Sequence, residues 1–533
     1  MLEKSIQQPI GFVHFDTPGM KNSVCEFLIE STKTGDVFRN RYVKIDSNST
    51  QTFLGRVTEG PFFLPEEVDR KSAFAQTSIL RGNKFPVVPN YYALARLEIL
   101  GQWVEGRLFY TNTRPVPKSP VIPLEAAEVQ KLIGLKGDLL LGRLLGYEDV
   151  KVMLDENDKK ILPRNIGVFG TVGSGKSNTA QVLIEEASDH GYAVIVIDIE
   201  GEYINMDHPT QELADKLSEF GLAPSKLKDF QVFYPVAGET NRKGAKPFDL
   251  EFSSMDPAIL SEVLSFTEAQ ERVFFELINR LNSKSDKKKK SDEDGALRFL
   301  LGNPASEGSK YTIATAIKTL YGDIIPEQKG GEKFASYTLS KKLAMLRRSK
   351  IFDEPGFDLL PVGSLLKANR VSVIDISGCD DEVRNLVIAW ILRRVFELKL
   401  DRKKDTPKTL LMIEEAHTFV SRERHEEMGA TLEMIRTIAR RGRKRWLSLC
   451  FISQQPSHLP GEIFELCNTR IIHAIRSEHN LQVLKATGGD IAEEVWGSIP
   501  SLGIGQAVIT SPQFTHPVQA DIRPAKTKRE LAD

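Results

Sequence analysis

Residues Arg164–Asn178 read RNIGVFGTVGSGKSN, and the architecture of the chain can be worked out from them. The apolar run Ile166–Phe169 has the composition of a short buried strand. It passes into Gly170-Thr171-Val172-Gly173-Ser174-Gly175-Lys176-Ser177 and then, from Asn178, into a segment with helical apolar spacing. Strand, glycine-rich loop and helix, in that order, form the setting that the phosphate-loop pattern G-x-x-x-x-G-K-[ST] requires. Glycines at 170, 173 and 175 let backbone N–H groups turn inward and approach phosphate oxygens, because no Cβ intervenes. The helix that follows presents its positive end to the same anion. In such loops the lysine, here Lys176, reaches the β- and γ-phosphates, and the hydroxyl of Ser177 ligates Mg²⁺. Gly170 to Asn178 is therefore expected to bind a nucleoside triphosphate.

The next segment, AVIVIDIEGEY, contains Val194–Ile197, a strand apolar on both faces, as in a parallel sheet. Asp198, Glu200 and Glu202 follow at its carboxyl end, where open α/β sheets place their sites. They form either a polar network near the nucleotide or a neighbouring subunit, or a solvated strand-end loop. The α/β signal returns at VSVIDIS (Val371–Ser377), followed by a long amphipathic helix, Asp381–Leu400, and by the strand of KTLLMIEEAHTFV. That strand closes on two carboxylates. Glu414 is expected to hold Mg²⁺ through water, and Glu415 to polarise the attacking water. Many phosphate-loop proteins carry Asp at the first position, and the extra methylene of Glu414 favours a water-mediated contact. His417 reads as a polar residue at a helix start and not as a ligand. A further strand, WLSLCFISQQP, ends in Gln454-Gln455, and Gln454 is placed to sense the γ-phosphate.

Between these two strands a helix is expected over Glu427–Arg441, with Met428, Leu432, Ile435 and Ile438 on its apolar face and Gly442 at its end. Residues 436–445 hold six Arg or Lys and no acid. The dipole of a helix C-terminus explains one or two of them. The surplus makes Arg440, Arg441 and Arg443 candidates to reach a neighbouring subunit's γ-phosphate, where an arginine supplied in trans stabilises transition-state charge.

The flanks lack comparable chemistry. Residues 1–125 read as short β segments (IGFVHF, SVCEFLI, RYVKI, TFLGRV, YYALARLEIL, PVIPL) separated by turn-formers such as Pro18-Gly19 and Gly82-Asn83, which suggests a small barrel or sandwich with an assembly or binding role. Residues 126–210 open the α/β core, 211–365 read as a helical insertion with little β signal, 366–515 complete the core, and 516–533 are a polar tail. Within the insertion, Asp256-Pro257 starts one helix and Thr267-x-x-Gln270 is a capping box for the next. Another helix is expected over Ser336–Ser349, with Leu339, Leu343 and Leu346 on one face. Lys287–Lys290 invites a nucleic-acid reading, but Asp286 and the acids of 292–294 flank it, which favours a solvated loop. The net charge of −1 leaves any nucleic-acid surface local. The four cysteines are scattered without a C-x-x-C pair, which argues for a reducing compartment and against zinc. No secretory leader or membrane-spanning run is evident, so a cytoplasmic protein is expected.

GTVGSGKSNTA, DIEGEY, LLMIEEAHTFV, ARRGRK and ISQQP, in that order around a helical insertion, resemble the HerA family of hexameric translocating ATPases, which are related to the FtsK motors. The resemblance implies a RecA-like, mainly parallel-sheet ATPase core, an N-terminal barrel of the type called HAS, and ATP sites at subunit interfaces of a ring around duplex DNA. It also implies an effector on the barrel side, a NurA-like nuclease, a sirtuin-like NADase or another nuclease, in DNA end processing or anti-phage defence. Lys176, Ser177, Glu414, Glu415 and Gln454 match the family's site by position, the trans arginine maps to Arg440/Arg441, and Arg164 is a candidate for a further phosphate contact. Arg422 and Arg424 are candidate DNA contacts diluted by Glu423, Glu426 and Glu427. An ATP-controlled assembly platform with little translocation is the alternative. A monomeric kinase or GTPase is disfavoured, because the arginine cluster would have no task and no N-K-x-D motif is present.

Overall fold

The computed structural model describes residues 8–17, 20–48, 51–81, 90–105, 107–286, 311–401, 405–420, 423, 429–488, 491 and 493–530. The turns expected at Pro18-Gly19 and Gly82-Asn83, the lysine run 287–290, and Arg422 and Arg424 lie outside them. The chain divides into two compact units, one of Met1–Leu154, Asp490–Ile499 and Gln506–Ile522, the other of Asp155–Gly489, Pro500–Gly505 and Arg523–Asp533.

The first unit begins with β1 (Gly11–Val13), β2 (Val24–Ile29), β3 (Tyr42–Ser47), β4 (Gln51–Pro65), β5 (Tyr91–Val104), β6 (Arg107–Phe109) and β7 (Pro120–Pro123). Antiparallel pairing runs β2-β1-β7-β3-β4-β5, and β5 pairs back onto β2, so six strands close into the expected barrel. Alternation supplies its core. Phe27, Val43, Ile45, Phe53, Val57, Leu97 and Val121 point inward and are buried together. The 15-residue β4 stays in register with β5 only by shifting at three places, around Gly55, Glu59 and Phe62. A hairpin of β8 (Leu139–Leu144) and β9 (Lys151–Leu154) completes this part of the chain.

The second unit holds β10 (Asn165–Phe169), β11 (Ala193–Asp198), β12 (Asp229–Pro235), β13 (Lys246–Phe248), β14 (Arg370–Asp375), β15 (Thr409–Ile413), β16 (Leu447–Ser453) and β17 (Cys467–Ile472). They pair in the order β13-β12-β14-β11-β15-β16-β10-β17, and every pair is parallel. β10, β11 and β15 are buried along their whole length, as their unbroken apolar runs require. The stretch read as a helical insertion with little β signal thus contributes two strands, β12 and β13, whose sequences DFQVFYP and KPF are short and mixed. Its helices form at the expected places, although the one expected from Ser336 begins six residues earlier, at Gly330. Asp256 accepts from Ala258 N with Pro257 in the first turn, Thr267 and Gln270 exchange the two hydrogen bonds of a capping box, and Leu339, Leu343 and Leu346 are buried on helix Gly330–Arg348.

Helix Asp381–Leu400 has the expected bounds but is buried around most of its circumference, Trp390 included, and is therefore less amphipathic than its sequence suggests. The last strands, β18 (Gln506–Thr510) and β19 (Val518–Ile522), belong to the first unit, where β19 lies between β18 and β8, antiparallel to both. Residues 518–530, read as tail, are therefore structured.

Candidate active site

Register brings the site together. Phe169 of β10 lies beside Ser453 of β16, Phe451 beside Ile413 of β15, and Ile413 beside Ile197 of β11. Because all four strands run the same way, Gly170, Gln454, Glu414 and Asp198 leave the sheet at one edge.

The phosphate loop closes on Gly175, which caps helix Lys176–Asp189 with φ +114°, a conformation only glycine adopts easily. Its Cα face is also covered, since a Cβ there would stand 3.0 Å from Gly505. Gly505 N donates to Ser174 O at 3.0 Å, and Thr171 donates to Ala474 O through both N and Oγ1 at 2.9 Å, so the loop is tied on two sides. The backbone N–H groups of Lys176, Ser177 and Asn178 begin the helix and have no partner within it. Lys176 is buried and its Nζ donates to Thr171 O at 3.0 Å. Burial lowers its pKa, against the opposing pull of the Glu415, Glu202 and Glu414 carboxylates. Val172 stands exposed at the loop tip. The side chain of Asn178 faces away, donating to Arg523 O and accepting from Ala525 N.

Glu414 is buried at the end of β15, against Asp198 at the end of β11. Asp198 accepts from the backbone N–H groups of Gly201, Glu202 and Tyr203, which shapes the loop after β11. Burial and the neighbouring Asp375 raise the Asp198 carboxyl to about 7 against those hydrogen bonds. Burial, then the charges of Asp198 and Glu202, raise Glu414 well above the carboxylate range. The polar-network reading therefore holds for Asp198 and Glu202, while Glu200 is exposed to solvent. One oxygen each of Glu414 and Glu202, both Oε2, is buried with no hydrogen-bond partner. Glu202 Oε2 has the Arg529 guanidinium 3.8 Å away, so the oxygen left without a partner is that of Glu414, whose burial is costly unless a donor or a cation takes it up. Mg²⁺ fits that oxygen together with the Ser177 hydroxyl. Among the described residues no group of three or more acidic, His or Cys side chains forms a cation cage alone, so phosphate oxygens and water would complete the shell.

Glu415 takes a left-handed conformation, φ +41° and ψ +49°, strained for a non-glycine residue by about 1–3 kcal/mol. The turn carries its carboxylate back across the end of β16, where Oε2 lies 3.2 Å from His417 Nδ1 and 3.5 Å from Gln454 N. Gln454 lines a cavity of about 350 Å³ together with Thr171–Ser174, Arg476 and Ile504.

The sheet does not bring Arg440 and Arg441 to this edge. Both are exposed at the end of helix Gly429–Gly442, which leads into the start of β16, the opposite end of a seven-residue strand and so about 20 Å away. Arg443 donates to Lys159 O, and Arg436 pairs with Glu462 and Glu433. Arg164, at the start of β10, faces Asn468 on that same far edge and does not reach its own phosphate loop. Three residues escaped the sequence reading. His417 was set aside because its partner depends on the reversed turn at Glu415. Arg476 resembles any surface arginine until β17 places it beside the loop. Arg523 is wholly buried, paired with Glu185 at 2.9 Å and Glu186 at 2.7 Å on the phosphate-loop helix, 337 or more positions away in sequence.

A parallel sheet whose one edge gathers a phosphate loop, a paired-acid strand end and a polar sensor position defines a RecA-like phosphate-loop ATPase. The solved structure of VirB4 from Thermoanaerobacter pseudethanolicus shares this fold, with a TM-score of 0.52 and 15% identity over 73% of this chain and 97% of that one. Residues 139–395 match the model of the Helicase HerA central domain and residues 363–516 that of the Helicase HerA-like C-terminal domain, and the chain belongs to the HerA family. It is an ATP-hydrolysing enzyme. The DNA double-strand break repair helicase HerA of Pyrococcus furiosus is 24% identical, covering 83% of this chain and 80% of its own. The probable helicase MJ1565 of Methanocaldococcus jannaschii is 24% identical, covering 91% and 85%. Among the described residues no helix is long and apolar enough to cross a membrane.

Proposed function

We propose that this chain is the motor subunit of a ring, a homo-hexamer, that uses ATP to translocate duplex DNA in the cytoplasm and delivers it to an associated effector enzyme. The observation that carries this reading is the pairing of an intact phosphate loop with Glu414 and Glu415 on one sheet edge, in a chain of the HerA family. Relatives described as double-strand break repair helicases support DNA as the track and DNA end processing as the setting, and anti-phage defence is the other setting this reading allows. The barrel is the seat of the effector, a nuclease or an NADase.

In this mechanism the loop amides and Lys176 hold the β- and γ-phosphates of ATP, and Ser177 and Glu414 hold Mg²⁺, which neutralises charge on the phosphate oxygens. Glu415 accepts a proton from water as the water oxygen bonds the γ-phosphorus and the bond to the ADP oxygen breaks. Gln454 registers the γ-phosphate. Arg440 or Arg441 of one chain serves the site of the next.

Lys176→Ala is expected to abolish nucleotide binding. Glu415→Gln is expected to bind ATP normally and to turn it over at least about 10²-fold more slowly, the lower range for a positioned general base. Near-normal turnover in Glu415→Gln would move the role to Glu414. Duplex DNA of any sequence is expected to stimulate turnover, with an affinity that falls steeply with salt as phosphate contacts release counterions. Turnover indifferent to DNA at low salt, with the effector present, would favour an ATP-controlled assembly platform.

A further inference from the structure

We propose that His417 is a positioning residue for hydrolysis, fixing the Glu415 carboxylate and tying it to the segment that senses the γ-phosphate. The inference rests on Glu415 being the water-polarising acid. Three observations carry it.

The first is direction. The contacts to the Glu415 carboxylate, from His417 Nδ1 at 3.2 Å and Gln454 N at 3.5 Å, both fall on Oε2. Oε2 is thereby anchored while Oε1 stays available to accept a proton. When Nδ1 carries the ring proton, that proton faces both Oε2 at 3.2 Å and Ser453 Oγ at 3.3 Å.

The second is connection. Nδ1 also lies 3.3 Å from Ser453 Oγ, the last residue of β16, and Ser453 Oγ accepts from Gln455 N at 3.2 Å. The imidazole thus stands between the acid on β15 and the Ser453–Gln455 turn, whose middle residue is Gln454. A shift of that turn on meeting a γ-phosphate would be felt at Glu415 through the ring.

The third is need. The left-handed backbone at Glu415 holds the carboxylate over β16, but rotation about the side-chain bonds would still swing it away. Helix Ala416–Phe419 is too short to restrain it. Its opening turn is held by Thr418, which donates to Glu415 O through both N at 2.8 Å and Oγ1 at 2.9 Å. These bonds fix the backbone and leave the carboxylate to His417, whose side chain is 14% exposed against 10% for Glu415.

The test compares His417→Ala, His417→Asn and His417→Gln with the parent, in the full-length protein with duplex DNA. It reads ATP turnover and, separately, affinity for a fluorescent ATP analogue. Misplacing a reacting group by an ångström costs on the order of 10²-fold in rate. His417→Ala is therefore expected to lose at least about tenfold in kcat, with analogue affinity within about twofold of the parent. His417→Asn puts an N–H where Nδ1–H stood and should recover most of the turnover, whereas His417→Gln, which places its amide where Nε2 stood, should not. A role confined to folding would lower kcat and affinity together and would not separate Asn from Gln. The inference is overturned if His417→Ala keeps turnover within about twofold of the parent, if Asn and Gln are equally impaired, or if all three lose analogue binding. Should only the Ala variant fail to bind, the Asn–Gln comparison decides. Glu415→Gln run alongside separates the two readings. An active Glu415→Gln removes the premise, while an inactive one beside an active His417→Ala removes only the role of His417.

Discussion

Lys399, in the last turn of helix Asp381–Leu400, is 2% exposed, and its ammonium group donates to Pro407 O. Burial lowers its pKa to about 8, and the nearby Arg445 pushes the same way. In the unfolded chain the group titrates near 10.4. Below pH 8 it is charged in both states, and the folded state bears the cost of an ammonium taken from water. As pH rises from about 8 to 10.4 the folded chain releases its proton first, the unfolded chain binds more protons, and stability climbs with pH by about 3 kcal/mol. Urea-unfolding midpoints at pH 7, 9 and 10 should show this rise in the parent and not in Lys399→Met. A variant midpoint that climbs in parallel with the parent's would show that another group is responsible.

The segment after β19 is tied to the phosphate-loop helix chiefly through Arg523 and Thr527. Arg523 neutralises Glu185 and Glu186, while Thr527 gives Glu185 two further hydrogen bonds, from N and Oγ1 at 2.8 Å each. Removing one partner of a buried ion pair leaves charge without compensation and costs about 3–5 kcal/mol. Arg523→Ala should therefore lower the melting temperature by on the order of 10 °C. The triple change Arg523→Met, Glu185→Leu, Glu186→Leu should recover most of that loss, because an apolar replacement of a buried ionic cluster is often neutral. Equal loss in both would mean that the pairing itself is not what matters.

This element also marks where reading the sequence stops. The strands of the core were visible because β10, β11 and β15 each hold a run of four or more consecutive non-polar residues, and the loop and Glu414-Glu415 because their chemistry is local. β12 escaped because Asp229 and Gln231 break its apolar run, and Asp229 is taken up by Lys367 and Arg370 from a distant segment. The segment 523–530 looked like tail because its value lies in partners more than three hundred residues away. His417 looked idle for the same kind of reason, since a backbone reversal at Glu415 creates its contact.

At the scale of the whole molecule, Arg440 and Arg441 sit on the far edge of the sheet from their own phosphate loop, so a role in catalysis would have to be exercised on another chain. An arginine acting in trans contributes about 10³–10⁵ in rate, whereas losing charge at a helix end costs only about 1 kcal/mol of stability. Arg440→Ala/Arg441→Ala should thus fold normally and lose turnover heavily. Mixed with Glu415→Gln, itself inactive, it should regain partial activity, since some interfaces then join an intact Glu415 to intact arginines. Verified subunit exchange without recovery would speak against a trans role, and full activity of the double variant alone would end it.

The late strands have a consequence for synthesis. β19 pairs with β8, Arg143 meets Asp521 at 3.1 Å, and Asn40 hydrogen-bonds Gln519, 479 positions further on. A chain emerging from the ribosome at about 5–20 residues per second therefore waits tens of seconds between making the first half of these contacts and receiving the second. The barrel can close early, but the strands beside it cannot be completed until residue 522 has emerged. Arg523 arrives next to neutralise Glu185 and Glu186 on the helix that follows the phosphate loop. Nascent chains should thus gain nucleotide affinity in one late step, and a chain cut short between Gln454 and that point would carry every catalytic residue named above and still lack a settled site.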